Sequence, residues 1–159
     1  MIEFTYDLIQ KNKLSFDKSK NNHRVVTFHD SCNVARGSNM GDIKNGQFIL
    51  PREVIRAACN NFIDMHKDSI KSSTFCCGGG GGLLTDDLID LRIKGAKPRM
   101  HALKQSEQES GVNTLAAICA ICKSQFSRVL PNYDFDPYMV VSVHQLVSDA
   151  IILKEKLDQ

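Results

Sequence analysis

The chain has 159 residues, 42% hydrophobic and 24% charged, which fits one folded domain over 1–159 and not a disordered segment. Its net charge of +2 is too small to argue for a nucleic-acid surface. No apolar run approaches the roughly 18 to 20 residues of a membrane span, and the opening MIEFTYDLIQKNKL carries Glu3 and Asp7 without the apolar core of a signal peptide. A cytoplasmic location is the expectation.

In chain order, the first clear β-type run is RVVTF (24–28), rich in β-branched residues. A helix is expected over 51–66, PREVIRAACNNFIDMH, with proline at a plausible first turn and Val54, Ala57, Ala58, Phe62 and Met65 at helical spacing. SSTF (72–75) reads as a second strand. TDDLIDLRI (85–93) reads as a helix start, with Thr85 as cap and Asp86 and Asp87 in its first turn. A further helix follows over 97–109 and stops near Gly111. NTLAAI (113–118) is a third strand, 119–130 a helix, YMVVSV (138–143) a fourth strand and 144–157 a last helix. Strands alternating with helices predict an α/β, Rossmann-like three-layer domain whose mostly parallel sheet has about four strands.

The cysteines fall on this frame in a pattern. Six in a chain of this size, without signs of secretion, point to metal or redox chemistry and not to structural disulfides. Leaving out Cys59, the order is Cys32, then 43 residues, then Cys76–Cys77, then 41 residues, then Cys119 and Cys122 as CxxC. Each element lies at or just after the carboxyl end of an expected strand, where parallel sheets bind ligands. Adjacent side chains on an extended strand point to opposite faces, so Cys76 and Cys77 converge only if the chain turns sharply. The five glycines from Gly78 onward permit that turn, and their N–H groups can approach whatever the sulfurs hold. They lack the Lys-Ser/Thr that completes a phosphate-binding loop.

Five converging thiolates exceed the four ligands of a structural zinc, whereas an iron–sulfur cluster has several irons to ligate and can use vicinal thiolates. Zinc held by four of them remains an alternative, as does a metal-free thiol–disulfide oxidoreductase built on the CxxC. Cys59 falls on the apolar face of a helix and reads as an inert buried thiol. His29 either donates a hydrogen bond to a sulfur or a proton to a leaving thiolate, or it caps or packs the turn before Cys32; His144 holds the matching position after the last strand, as a site residue or a packed helix start. Arg36 and Arg52 are candidate counter-charges for an anionic cluster, or ordinary surface cations. Lys123 reads as solvent-facing.

TFHDSCNVAR with LPRE, then TFCCGGGGG, then AICAIC, resembles the cysteine-rich CCG domain of heterodisulfide reductase-type iron–sulfur proteins. Within that family it looks most like the iron–sulfur subunit of the sulfite-reduction-associated membrane complex (the DsrK type), over about residues 5 to 155. The resemblance implies a noncubane [4Fe-4S] cluster on Cys32, Cys76, Cys77, Cys119 and Cys122, with one-electron steps coupled to thiol–disulfide chemistry. It implies partners too: other subunits of a membrane-bound redox complex, reached at the inner face of the membrane, and a small sulfur-carrier protein with two C-terminal cysteines. More distant relatives are iron–sulfur subunits of hydroxyacid-oxidising complexes. The ferredoxin motif that usually precedes the domain is absent, so the chain is expected to depend on other subunits or domains for its activity. HDSC also stands where HDPC is usual, a change expected to loosen the turn before Cys32.

Overall fold

The computed structural model describes residues 1–37, 46–82 and 85–153. Its centre is a parallel sheet of three strands, β1 (Val26–His29), β2 (Thr114–Ala117) and β3 (Val140–Ser142), in that spatial order. Val26 pairs with Thr114 and Leu115 with Val140, so all three carboxyl ends lie along one edge. Every residue of β1 and β2 is buried, because both faces of the sheet are covered.

The two faces divide the core by the period-2 alternation of the strands. Val26, Phe28 and Ala116 face a layer built by α1 (Ile2–Gln10), α2 (Gly46–Ala58) and α5 (Val143–Ala150). Leu115 faces the opposite layer, built by α3 (Ile89–Ser110) and α4 (Ala120–Val129), where Met100, Leu103 and Phe126 are buried. The result is the expected three-layer α/β arrangement. Among the described residues no helix is long and apolar enough to cross a membrane.

Several elements differ from expectation for local reasons. Residues 72–75 form no strand. Lys71–Ser73 is a single tight turn, because the Lys71 N–H donates to the Asp30 carboxylate at 2.6 Å and the Thr74 hydroxyl to the Asp30 carbonyl at 2.8 Å. Ser73 N–H donates to Ile70 O and Thr74 N–H to Lys71 O, so the segment's backbone donors close this turn, anchored on Asp30, and do not pair with a neighbouring strand. The outer edge of β1 is met instead by residues 61–63: Val26 N–H donates to Asn61 O and Ile63 N–H to Val26 O, both at 2.9 Å. That pairing also explains why α2 stops at Ala58 and does not run to residue 66.

The two helices expected over 85–93 and 97–109 are one. Asp86–Leu88 makes a lead-in turn, and α3 then runs 22 residues through Gly95 and Pro98 to a left-handed cap at Gly111. The last helix ends at Ala150, after which Ile151 bridges to Phe16; residues 154–157 of the expected helix lie outside the described residues. The sequence reading assigned no element before residue 24, where the structure has α1.

The glycine run is tied to α3 by close approach. Gly78 has φ +89°, and a Cβ there would lie 2.3 Å from the Arg92 carbonyl oxygen and 2.9 Å from the Ala96 nitrogen. Gly78→Ala should therefore cost about 2–4 kcal/mol through strain and displacement of the loop from α3. Urea unfolding of the metal-free protein measures it, and a loss under about 1 kcal/mol would mean the loop is not held against α3 as described.

Candidate metal centre

The carboxyl edge of the sheet carries three loops that meet. β1 delivers His29, Asp30 and Ser31, all buried, and the chain then makes one wide turn over Cys32–Arg36. That turn closes with Arg36 N–H to Ser31 O and Gly37 N–H to Cys32 O, five residues apart, a form that recurs at functional sites. Ser31 takes part in closing it. Its Oγ accepts the Val34 N–H at 3.3 Å, capping the turn, and accepts from the Cys122 thiol at 3.8 Å.

The second loop turns at Gly78, so Cys76 and Cys77 do converge. Cys77 Sγ lies within 4.8 Å of Cys122 Sγ, and Cys76 is close enough to Cys32 and Cys77 for each to oppose the other's ionisation. Gly78 N–H donates to Cys76 Sγ at 3.3 Å, and the N–H groups of Gly80 and Gly79 are directed at Cys76 and Cys77. The third loop follows β2, with Cys119 as the residue that starts α4 and Cys122 one turn inside it. Cys119 is half-buried and packs on the same apolar cluster as Cys76. Among the described residues no thiol–thiol hydrogen bond joins it to the other four.

Burial and crowding oppose ionisation of these thiols. Contact with Cys122, then burial, pushes Cys77 up to about 12, and Cys76 is raised further by its hydrogen bond to Cys77 and by burial. Cys32 is raised by burial and by Cys76, against a lowering pull from the Arg36 guanidinium. Such thiols become thiolates when a metal displaces their protons.

His29 points from β1 into the same space. Its nearer ring nitrogen, Cys77 Sγ and Cys122 Sγ lie within 4.8 Å of one another. Burial and the charge of Arg99 hold the imidazole well below its usual pKa, so it is neutral. The ring meets Phe126 edge-on at 4.8 Å, and neither nitrogen has a hydrogen-bond partner. A buried polar group left unsatisfied costs about 1–3 kcal/mol, so the pocket is one that a bound group completes. Clustered thiols on three loops, inward N–H donors and an orphaned imidazole together fit an anionic iron–sulfur group.

The cations divide differently from expectation. Arg36 donates to Thr74 O at 3.0 Å at the rim, beside Cys32. Arg52 is committed elsewhere: it grips both Asp30 oxygens at 2.7 Å, both Asp64 oxygens at 2.9 and 3.0 Å, and Phe48 O. It acts on the site through Asp30, two residues before Cys32. His144 starts α5 at the edge of the sheet, but its Nε2 lies 3.4 Å from Thr5 Oγ1 on α1, and no hydrogen bond joins it to a cysteine among the described residues. Asp86 pairs with Arg128, and Lys123 is half-buried. Sequence reasoning missed Arg99, fully buried on α3 and directed at the loop before Cys76. The only signal was an arginine on the apolar face of a helix.

Breaking the Asp30–Arg52 pair leaves a buried carboxylate uncompensated, so Arg52→Met should lose about 3–5 kcal/mol, with part recovered in Asp30→Asn/Arg52→Met. Denaturant unfolding of the three proteins checks this. Cys59 is buried against the other face of the sheet, and burial pushes its thiol up to about 11. Cys59→Ala should leave metal content unchanged and cost about 1 kcal/mol. In the folded protein Cys59 should resist alkylation at pH 7, which mass spectrometry reads directly.

The family profile described as CCG, a cysteine-rich domain, matches residues 26–127, which include all six cysteines. The chain is 42% identical over 153 residues to the Hdr-like menaquinol oxidoreductase iron-sulfur subunit 2 of Archaeoglobus fulgidus. It is 39% identical over 153 residues to the Hdr-like menaquinol oxidoreductase iron-sulfur subunit of Archaeoglobus profundus. Each match covers 96% of this chain and 26% of the relative, so the chain spans about a quarter of their length. No solved structure matches it. With its three cysteine loops gathered at one sheet edge, the chain belongs to the CCG cysteine-rich domain family.

Proposed function

We propose that this domain is the iron–sulfur, electron-transferring part of a heterodisulfide reductase-like complex, with a noncubane [4Fe-4S] cluster on Cys32, Cys76, Cys77, Cys119 and Cys122. The observation that carries this is the convergence of three loops at one sheet edge: Cys77 and Cys122 lie with His29 within 4.8 Å of one another, and Cys76 and Cys32 are near enough to oppose each other's ionisation. The relatives' description as iron–sulfur subunits of menaquinol oxidoreductases supports the same reading and suggests a membrane quinol as electron source. The substrate on this reading is the disulfide or trisulfide of a small sulfur-carrier protein bearing two C-terminal cysteines, as in sulfite reduction. Reducing one disulfide takes two electrons and two protons and yields two thiols. The cluster, when bound, supplies the one-electron chemistry.

The chain's own residues supply the rest. Gly78, Gly79 and Gly80 offer N–H donors to the sulfurs, and the exposed Arg36 at the rim can steer an anionic carrier tail. The neutral His29 can donate one N–H hydrogen bond to a sulfur and accept at its other ring nitrogen. His144 can serve a partner from the same edge. The domain works with other subunits on the cytoplasmic side, at the inner face of the membrane, and is not a self-sufficient enzyme. A hydroxyacid-oxidising complex is an alternative setting for the same electron-transfer role.

A second reading has its own observation: His29, Cys77 and Cys122 are close enough for one tetrahedral zinc with one further thiolate. Metal and sulfide analysis of protein purified without oxygen separates the two. The iron–sulfur reading expects about four irons and four sulfides per chain, absorbance near 400 nm, and near-total loss in Cys76→Ser and Cys77→Ser. One zinc per chain, colourless and persisting after anaerobic iron–sulfide reconstitution, would leave a structural or interaction module.

A further inference from the structure

Arg99 is fully buried, yet it takes part in none of the ion pairs among the described residues. Its guanidinium donates to Ser69 O and Thr74 Oγ1 at 2.6 Å, to Phe75 O at 3.4 Å and to Met65 Sδ at 2.9 Å, while its Nε has no partner. All of these acceptors are neutral. The Phe75 ring lies 5.8 Å from the guanidinium carbon and closes that side. Asp30 is the carboxylate whose field reaches Arg99, but both its oxygens are bound by Arg52 and one also by the Lys71 N–H.

Burying a cation without an anion in contact is expensive, and a fold retains it where negative charge is supplied from elsewhere. Its acceptors Thr74 and Phe75 are the two residues before Cys76, so the guanidinium lies against the vicinal-cysteine loop, where negative charge on Cys122, Cys77 or Cys76 would act on it. Burial brings Arg99 down to about 10, which still leaves it charged at neutral pH.

We propose that Arg99 is the buried counter-charge of the anionic group held by the CCG cysteines, a positioning residue that raises that group's reduction potential. The inference rests on the iron–sulfur reading. Each added electron makes the group more negative, so a fixed cation favours the reduced form. Arg36, exposed at the rim, is screened by water and salt and contributes less.

The test compares wild type, Arg99→Gln and Arg99→Lys after anaerobic iron–sulfide reconstitution. Iron and sulfide content, a redox titration followed by absorbance and electron paramagnetic resonance, and thermal unfolding of the metal-free proteins are measured. Arg99→Gln should lower the reduced-to-oxidised ratio at least tenfold at a given applied potential, about 59 mV for a one-electron couple. Arg99→Lys, which keeps the charge, should stay near wild type. An unshifted potential in Arg99→Gln at full iron content would overturn the proposal, as would Arg99→Lys shifting as far as Arg99→Gln. If Arg99→Gln loses its iron, Arg99→Lys decides. Full iron there at a near-wild-type potential supports the counter-charge, whereas equal loss of iron in Arg99→Lys makes Arg99 a strut for the loop and overturns it. Wild type that takes up no iron or sulfide sinks the iron–sulfur reading itself, and this inference with it.

Discussion

The site hangs on Asp30. Its carboxylate is held by both forks of Arg52 from α2 and by the Lys71 N–H, and its carbonyl takes the Thr74 hydroxyl. Thr74 Oγ1 then accepts from Arg99 of α3. One buried residue at the end of β1 thus joins two helices and the loop that carries the vicinal cysteines. Asp30 lies two residues before Cys32, and Thr74 two before Cys76, so the network fixes both loops relative to each other. A buried ion pair of this kind adds little net stability over an apolar replacement. What it supplies here is register: with the carboxylate fixed, the Cys32 turn and the 74–77 segment have one relative position.

Once that register is set, the sheet determines where the sulfurs go. The parallel strands end along one edge, and their loops must pass over it. Cys77 and Cys122 are nonetheless buried in the apolar layer with Leu115 and Phe126, not perched above it. That placement raises the cost of ionising the thiols. It also strengthens each charge and N–H dipole directed at them, since little water intervenes. Gly78 is part of the same compromise. The loop must lie close enough to α3 for its N–H groups to face the sulfurs, and a side chain there would collide with the Arg92 carbonyl.

Much of this was legible from the residue pattern. The β-type runs located β1, β2 and β3 to within a few residues, and the ends of β1 and β2 placed Cys32, Cys119 and Cys122 on one edge; Cys76 and Cys77 reach it from a loop and not from the expected strand. The misreadings have a common physical source. SSTF has strand composition, but its backbone N–H groups close a local turn that Asp30, distant in sequence, holds through the Thr74 hydroxyl and the Lys71 N–H. Gly95 and Pro98 look like helix breakers, yet α3 continues through them because packing against Gly78 and the core outweighs local propensity. Arg52 and Arg99 could not be told apart as charges. Arg52 pairs directly with two carboxylates and Arg99, among the described residues, with none, a distinction made only by residues distant in the chain.

The same distinction gives the site a direction. Cys77 and Cys122 are buried at 3% and 2% exposure, beside the neutral His29 and the fixed charge of Arg99, while Cys32, Cys76 and Cys119 are only half-buried. The buried sulfurs sit where electrostatic effects are least screened and water is scarce. The half-buried ones, with Arg36 beside Cys32, sit where a second protein can come within contact. On the proposed function, a carrier's sulfur meets the centre at this rim, while the buried side sets the energy at which an electron is given up. Two demands that conflict at a single atom, access and a protected electrostatic environment, are met at opposite ends of one row of cysteines.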